Sequence, residues 1–239
     1  MRALRSLVFN LLFFTWTAVL LVLLSPSLLF GVKAVHWVGR LWVRGTFALL
    51  AAIVGLRHRI VGLENLPDGP AIVAPKHQSA WDTLVFALPL RLPAYVLKRE
   101  LIFVPLFGIY LWRAGMIPVD RSAGGAALRK MTAAAKKAAA EKRHILIYPQ
   151  GTRVAPGQRA PYHPGVAALY AQLGLPVVPV ALNSGLFWGR RAFMKRPGTI
   201  TVEFLAPIAP GLPRRTFMAE LESRLEAASD RLAREAEPG

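Results

Sequence analysis

The sequence predicts an α/β fold: a mostly parallel sheet flanked by helices, preceded by an N-terminal membrane-associated helical pair. Three observations predict it. From Arg57 onward, short apolar runs of strand length alternate with longer helical patterns, the order of β–α–β units. Ahead of them, Leu7 to Phe30 carries no charged residue, and a bilayer span needs about 20 apolar residues. Composition agrees. Hydrophobic residues are 54% and charged residues 18%, with mean hydropathy +0.39; that is too apolar for an ordinary soluble domain and too broken by charge for a multi-span transporter. The 239 residues suit one medium domain with an appendage, divided as an anchor over 1–56 and a main domain over 57–239.

Taken in order, the chain begins with Arg2 and Arg5 and then the apolar run. The run exceeds the h-region of a signal peptide, about 7–15 residues, and no small-x-small cleavage site follows it, so a retained anchor is expected. In Lys33 to Leu56, Trp37, Arg40, Trp42 and Arg44 interrupt the apolar residues, as in an interfacial or half-inserted helix. Basic residues flank the first run on both sides, so charge gives no topology. Both a pair dipping into one leaflet and a single full span fit. His36 and His58 read as surface or interface residues.

Strands are expected over Arg57 to Val61, Ala71 to Pro75, Ala94 to Lys98, Met116 to Val119, Ile145 to Tyr148, Val177 to Leu182 and Thr199 to Phe204. Helices are expected over Ala80 to Leu88, Glu100 to Ala114, Gly125 to Lys142, Val166 to Leu173 and Thr216 to Glu235. The Gly125 to Lys142 segment is rich in alanine, the best helix former. In the last helix Phe217, Leu221, Leu225, Ala228 and Leu232 recur at helical spacing, a core-facing stripe.

Charge and cysteine exclude several classes. Net charge is +17, from 30 Lys and Arg against 13 Asp and Glu, which favours an anionic partner. No nucleic-acid motif accompanies it, and the apolar N-terminus points to anionic lipid, where each basic residue near the surface contributes roughly 1 kcal/mol. Cysteine is absent, which excludes disulfides, thiolate metal sites and a cysteine nucleophile. No metal site is expected, and no nucleic-acid partner.

The stretch Lys76-His77-Gln78-Ser79-Ala80-Trp81-Asp82 places a histidine and a carboxylate five residues apart after an apolar strand. Histidine can act as a general base near neutrality, and a carboxylate on one ring nitrogen fixes the tautomer and supports the imidazolium. On one continuous helix the two would lie about 140° apart, so the pairing needs a bend: His77 in the loop and Asp82 in the first helical turn. Ser79 can cap a helix from Ala80 toward Leu88, and Pro89 can end it. The same residues also read as a capping box with Asp82 bonding backbone amides.

Three further stretches follow. Gly115-Met116-Ile117-Pro118-Val119-Asp120-Arg121 ends a strand on an Asp-Arg pair, and Tyr148-Pro149-Gln150-Gly151-Thr152-Arg153 follows another strand. Val177-Val178-Pro179-Val180 has a proline inside an apolar run. Arg121 and Arg153 both sit just past strand ends, where open α/β sheets bind ligands. Two arginines there can clamp a phosphate, with Gly151 and Thr152 adding an amide and a hydroxyl. Singly, each also reads as a surface ion pair or a plain turn.

Taken together and in this order, the four boxes after an apolar N-terminus resemble the 1-acylglycerol-3-phosphate acyltransferase family of glycerolipid acyltransferases, over roughly Arg57 to Leu212. The resemblance implies a fatty acyl transfer from a thioester donor to the sn-2 hydroxyl of lysophosphatidate, giving phosphatidate in phospholipid biosynthesis. It implies His77 as catalytic base and Asp82 as its support, and an acyltransferase domain over 57–239. Arg121, Gln150, Gly151, Thr152 and Arg153 correspond to positions associated with the acceptor's glycerol phosphate. The Val-Pro-Val box goes with the donor side or with structure. No cofactor is implied beyond the co-substrate, an acyl-carrier protein or coenzyme A thioester. The implied partners are that donor and membrane lipids, and the implied location is the cytoplasmic face of a bacterial inner membrane.

Two departures stand out. The third box usually reads Phe-Pro-Glu-Gly-Thr-Arg; here Tyr148 and Gln150 replace the aromatic and the acid, and Gln150 keeps a hydrogen-bonding carbonyl without the charge. His163 stands where the family often has lysine. These leave open another acceptor, such as lyso-ornithine lipid or glycerol 3-phosphate. A non-catalytic basic membrane-binding protein and a thioester hydrolase using the same pair are the rivals from other classes.

Overall fold

The computed structural model describes residues 1–236, without the Arg121 side chain. Its strands are β1 (Leu56–Val61), β2 (Ile72–Pro75), β3 (Ala94–Lys98), β4 (Ile117–Val119), β5 (Ile145–Leu146), β6 (Val177–Leu182) and β7 (Gly198–Phe204). Among the described residues they form one seven-stranded sheet in the order β1-β7-β6-β2-β5-β3-β4. Pairing is parallel throughout except that β7 runs antiparallel to β6.

The helices are α1 (Arg2–Leu23), α2 (Val32–Leu49), α3 (Asp82–Val85), α4 (Phe107–Arg113), α5 (Gly124–Ala140), α6 (Pro164–Leu173) and α7 (Arg214–Ala236). Side chains alternate between the two faces of the sheet, as the pleat requires. In β2, Val73 faces a core with Phe9, Phe47, Trp81 and Phe86, from α1, α2 and the α3 segment. Its neighbours Ile72 and Ala74 face the opposite core, built from α5, α6 and α7. The expected stripe on α7 is buried: Phe217, Leu221, Leu225, Ala228 and Leu232 all lie inside.

The N-terminal pair is packed onto the sheet. Phe9, Val43, Phe47, Leu50 and Val54 enter the same core as the strands. α1 is held near both ends. The Lys195 amide donates to Ser6 Oγ (3.0 Å), and Lys195 Nζ to Asn10 Oδ1 (2.6 Å). Tyr110 Oη, on α4, donates to the Leu21 carbonyl (2.9 Å). Ser6 and Leu21 lie about 22 Å apart at 1.5 Å per residue, so α1 runs along the domain surface and does not project from it. Its outer face, including Leu4, Leu7, Leu11, Phe14, Val22 and Leu23, is exposed. Both N-terminal helices are long and apolar enough to cross a membrane by length and composition.

Three expectations need correction. The helix expected from Ala80 to Leu88 is helical only over Asp82–Val85; Ser79 Oγ accepts from the Trp81 amide (3.1 Å) and shapes the turn ahead of it. The helix expected from Glu100 to Ala114 is broken. A 3-10 turn, Arg99–Phe103, ends at an extended Val104 before α4 starts, because Pro105 disfavours a helical conformation in the residue before it. His36 is buried and its Nε2 meets the Ala114 carbonyl at 3.1 Å. His58 lies against the Phe47 and Trp81 rings, at 4.7 and 5.8 Å. In addition, Arg40 is a structural clamp. Its guanidinium donates to the Ala87 and Leu90 carbonyls (3.1 and 3.0 Å), tying α2 to the segment after α3.

Candidate active site

β2 lies at the middle of the sheet, between β6 and β5. The chain leaving β2 enters α3 on one face, while the chain leaving β5 enters α6 on the other. Connections that part to opposite faces open a crevice at the carboxyl ends of the strands. His77 sits there, two residues past the end of β2.

His77 Nδ1 meets Asp82 Oδ2 at 3.1 Å. The same oxygen accepts from the Gln78 and Ser79 amides (2.6 and 2.7 Å). Oδ1 accepts from Ser184 Oγ. With backbone amides and a hydroxyl already donating to it, the carboxylate acts as an acceptor, which assigns the proton to Nδ1 and leaves Nε2 with a lone pair. The His77 side chain is 11% exposed and that of Asp82 0%, so an incoming molecule meets the imidazole and not the acid. The pairing and half of the expected capping box are thus one structure: Asp82 bonds the Gln78 and Ser79 amides, and this bend turns it toward His77, while Ser79 Oγ takes the Trp81 amide and does not cap the helix.

Two residues outside the expected set complete the arrangement. The Tyr148 ring stacks on His77, with centroids 4.1 Å apart and planes at 27°. Its hydroxyl donates to the Asp82 carbonyl (2.9 Å), and burial pushes its pKa well above the usual phenol value, so it stays a donor. Ser184 comes from the loop after β6, 102 residues from Asp82. Only an aromatic in the third box hinted at Tyr148; nothing local pointed to Ser184. That loop is further fixed by the Gly185 amide donating to Gln78 Oε1 (2.9 Å).

The third-box residues follow β5, the strand beside β2. Gly151 takes φ +60°, and its amide donates to the Tyr148 carbonyl (2.9 Å); a left-handed turn of this kind favours glycine. The Val154 amide donates to the His77 carbonyl (2.8 Å), joining this turn to the first box. Thr152 is exposed and Arg153 half-buried. The positive charge of Arg153 works weakly against the burial that raises the Tyr148 pKa. Gln150 is buried, and among the described residues neither amide atom has a hydrogen-bond partner. A buried polar group without a partner is uncommon and needs an explanation.

Arg121 follows β4, at the same edge of the sheet; its side chain lies outside the described residues. Asp120 pairs with Arg99 (3.0 Å) and accepts from the Ser122 amide and hydroxyl (3.0 and 2.6 Å). The Ser122 hydroxyl and amide, with Arg99 beside them, hold its carboxyl below the usual range. The Val-Pro-Val residues lie in β6, which is buried along its whole length, with Val178 and Val180 in the core. Among the described residues no cluster of histidine and acidic side chains fit to hold a metal is present.

Similarity to known proteins agrees with this geometry. The family model described as Acyltransferase matches residues 57–183. The 1-acyl-sn-glycerol-3-phosphate acyltransferase of Pseudomonas aeruginosa is 35% identical over 232 residues, covering 95% of this chain and 89% of that protein. The protein of the same name from Limnanthes douglasii is 32% identical over 163 residues, 67% of this chain, which spans 57% of that longer protein. In fold, the chain superposes on the crystal structure of the 1-acyl-sn-glycerophosphate (LPA) acyltransferase, PlsC, from Thermotoga maritima. The TM-score is 0.81 over 100% of both chains, at 21% identity.

Proposed function

Because this chain belongs to the 1-acyl-sn-glycerol-3-phosphate acyltransferase family, we propose that it transfers a fatty acyl group from a thioester donor to the sn-2 hydroxyl of lysophosphatidate, forming phosphatidate. The observation that carries this reading is the His77–Asp82 hydrogen bond at the end of the central strand, with the acid buried and the imidazole reachable.

His77 Nε2 removes the proton from the acceptor hydroxyl as its oxygen attacks the thioester carbonyl. A tetrahedral intermediate forms and collapses. The C–S bond breaks, and the leaving thiolate takes the proton held on Nε2. Asp82 keeps the imidazole in its tautomer and stabilises the imidazolium. The products are the diacyl lipid and a free thiol, with no acyl-enzyme and no cofactor beyond the co-substrate. Arg121 and Arg153 hold the acceptor phosphate from the same edge of the sheet. Gly151 and Thr152 add an amide and a hydroxyl. Gln150 is buried with both amide atoms, so it acts on the acceptor through the placement of Gly151 and Thr152 beside it and not by contact.

A second acceptor, lyso-ornithine lipid or glycerol 3-phosphate, has one specific support: the third-box side chain is a neutral amide, unpartnered among the described residues. The test crosses lysophosphatidate and these acceptors with acyl-carrier-protein and coenzyme A thioesters, using wild type, His77→Ala and Asp82→Asn. Loss of a general base lowers turnover by about 10²- to 10⁴-fold. Near-wild-type turnover by His77→Ala would sink the mechanism. Thioester cleavage without acceptor would favour a hydrolase.

Residues 1–56 act as the membrane seat and 57–239 as the acyltransferase domain. α1 is held along the domain surface and exposes apolar side chains outward. Phe103, Leu106, Ile109 and Trp112 are exposed on α4 and the turn before it. This favours half-insertion in one leaflet over a full span. The net charge of +17 suits the anionic cytoplasmic leaflet of a bacterial inner membrane. Flotation with anionic and neutral vesicles tests the seat, and protease accessibility in sealed vesicles tests the side.

A further inference from the structure

Next to the His77–Asp82 pair in sequence begins a charged cluster, buried at Lys76 and Glu226 and open at Arg159, that the reaction itself does not use. Lys76, directly before His77, is 2% exposed, and its Nζ is bonded to Glu226 Oε1 on α7. Glu226 is 7% exposed. Oε1 also accepts from Tyr162 Oη (2.8 Å), and Oε2 accepts from Arg159 Nη1. Arg159 Nη2 continues to Asp230 (2.5 Å).

Each partner is tied to one half of the site. The Lys76 amide extends the sheet ladder by donating to the Val180 carbonyl (2.9 Å), and His77 follows at once. Arg159 and Tyr162 belong to the loop that leaves Arg153. That loop is closed at its start by Val154 on the His77 carbonyl and at its end by the His163 amide on the Pro149 carbonyl, both at 2.8 Å. One carboxylate on the C-terminal helix therefore holds the residue before the imidazole and the loop after Arg153. For stability alone the choice is poor, because an apolar replacement of a buried ion pair is often neutral or stabilising. What an apolar patch does not supply is a set of directed bonds from one point to two loops.

We propose that Glu226 is a positioning residue: through Lys76 it sets the placement of His77, and through Tyr162 and Arg159 that of the Arg153 turn. The inference rests on the roles proposed above for His77 and Arg153. It predicts a division of kinetic effects. Lys76→Met lowers kcat with little change in acceptor KM, since a displacement of about 1 Å at the reacting group can cost up to about 100-fold. Tyr162→Phe raises acceptor KM and leaves kcat close to wild type. Glu226→Gln does both, and Glu226→Asp recovers part of each. Glu220→Gln, elsewhere on α7, serves as the unchanged control. The double variant Lys76→Met with Glu226→Leu removes the orphan charge, so its Tm returns toward wild type while kcat stays low.

The experiment measures kcat, KM and Tm for this set. It also follows carbethoxylation of His77 by mass spectrometry, a readout that needs no acceptor. A changed His77 modification rate in Glu226→Gln, absent in Glu220→Gln, supports the proposal. Variants that shift Tm alone, with wild-type kcat, KM and His77 reactivity, overturn it, as does a double variant that regains full turnover. If wild type does not acylate lysophosphatidate, the acceptor assignment fails, and the His77 modification rates still decide the role of Glu226. Should Glu226→Gln fail to fold, Lys76→Met and Tyr162→Phe carry the same comparison.

Discussion

The Tyr148 ring lies against the His77 ring at 4.1 Å, and its hydroxyl donates to the carbonyl of Asp82. One side chain from the third box thus supports both members of the first. Removing the hydroxyl and removing the ring should have separable effects. Tyr148→Phe keeps the stack and loses one hydrogen bond, a cost of about 1 kcal/mol in stability, with most activity retained. Tyr148→Leu frees the imidazole and is expected to lower kcat by about tenfold or more. Melting curves and steady-state rates on the two variants check this, and equal activity in both would contradict a role for the stack.

Ser184 supplies the bond to Asp82 Oδ1. A hydrogen bond to a charged group contributes about 1.5–3 kcal/mol, so Ser184→Ala should lower both Tm and kcat/KM. Ser184→Thr, which keeps the hydroxyl, should recover much of each. If alanine and threonine behave alike, the bond is not what holds Asp82.

Gly108 sits against the turn before it. A Cβ there would lie 1.9 Å from the Ile102 carbonyl oxygen, a backbone atom that cannot swing aside. Gly108→Ala should therefore destabilise by about 1–3 kcal/mol, the range for overpacking, and disturb the seat of α1, which Tyr110 on α4 holds. An unchanged melting midpoint and unaltered vesicle binding would refute this.

Lys195 gives a pH dependence. Burial lowers its pKa from 10.5 to about 8, even with Asn10 and the Trp188 ring beside the ammonium. The sign follows from proton binding: between about pH 8 and 10.5 the unfolded chain holds more protons than the native one. Stability therefore rises with pH across that window. Below pH 8 the charged lysine penalises the fold in full. Lys195→Met should flatten this rise, as read from Tm in detergent at several pH values. A slope identical to wild type would show that another group titrates.

Much of the fold was legible because its signals are local. All seven expected strands are present to within two residues at most ends, since each is a short apolar run bounded by turn residues. The α7 stripe was legible from its helical period. Residues 100–114 read as one helix by their apolar content, yet Pro105 and Gly108 carry the sign of the break: a proline stops the helix before it, and the glycine lets the turn fold back on Ile102. The places of His36 and Arg40 are not legible in the sequence, because a polar residue in an apolar helix looks the same whether it meets a lipid head group or a buried carbonyl.

The sequence by itself determined the alternation of strands and helices, the apolar N-terminal helices and the five-residue spacing of His77 and Asp82. These depend on neighbours within a turn or two of chain, where periodicity and turn chemistry act. Only the tertiary structure decided that β2 lies between β5 and β6, and everything at the site follows from that order. β5 brings Tyr148 under His77, β6 delivers Ser184 to Asp82, and α7 sets Glu226 behind Lys76, across 71, 102 and 150 residues of chain. Such contacts arise from the pairing of whole strands and the burial of both sheet faces, which a pattern along the chain does not encode.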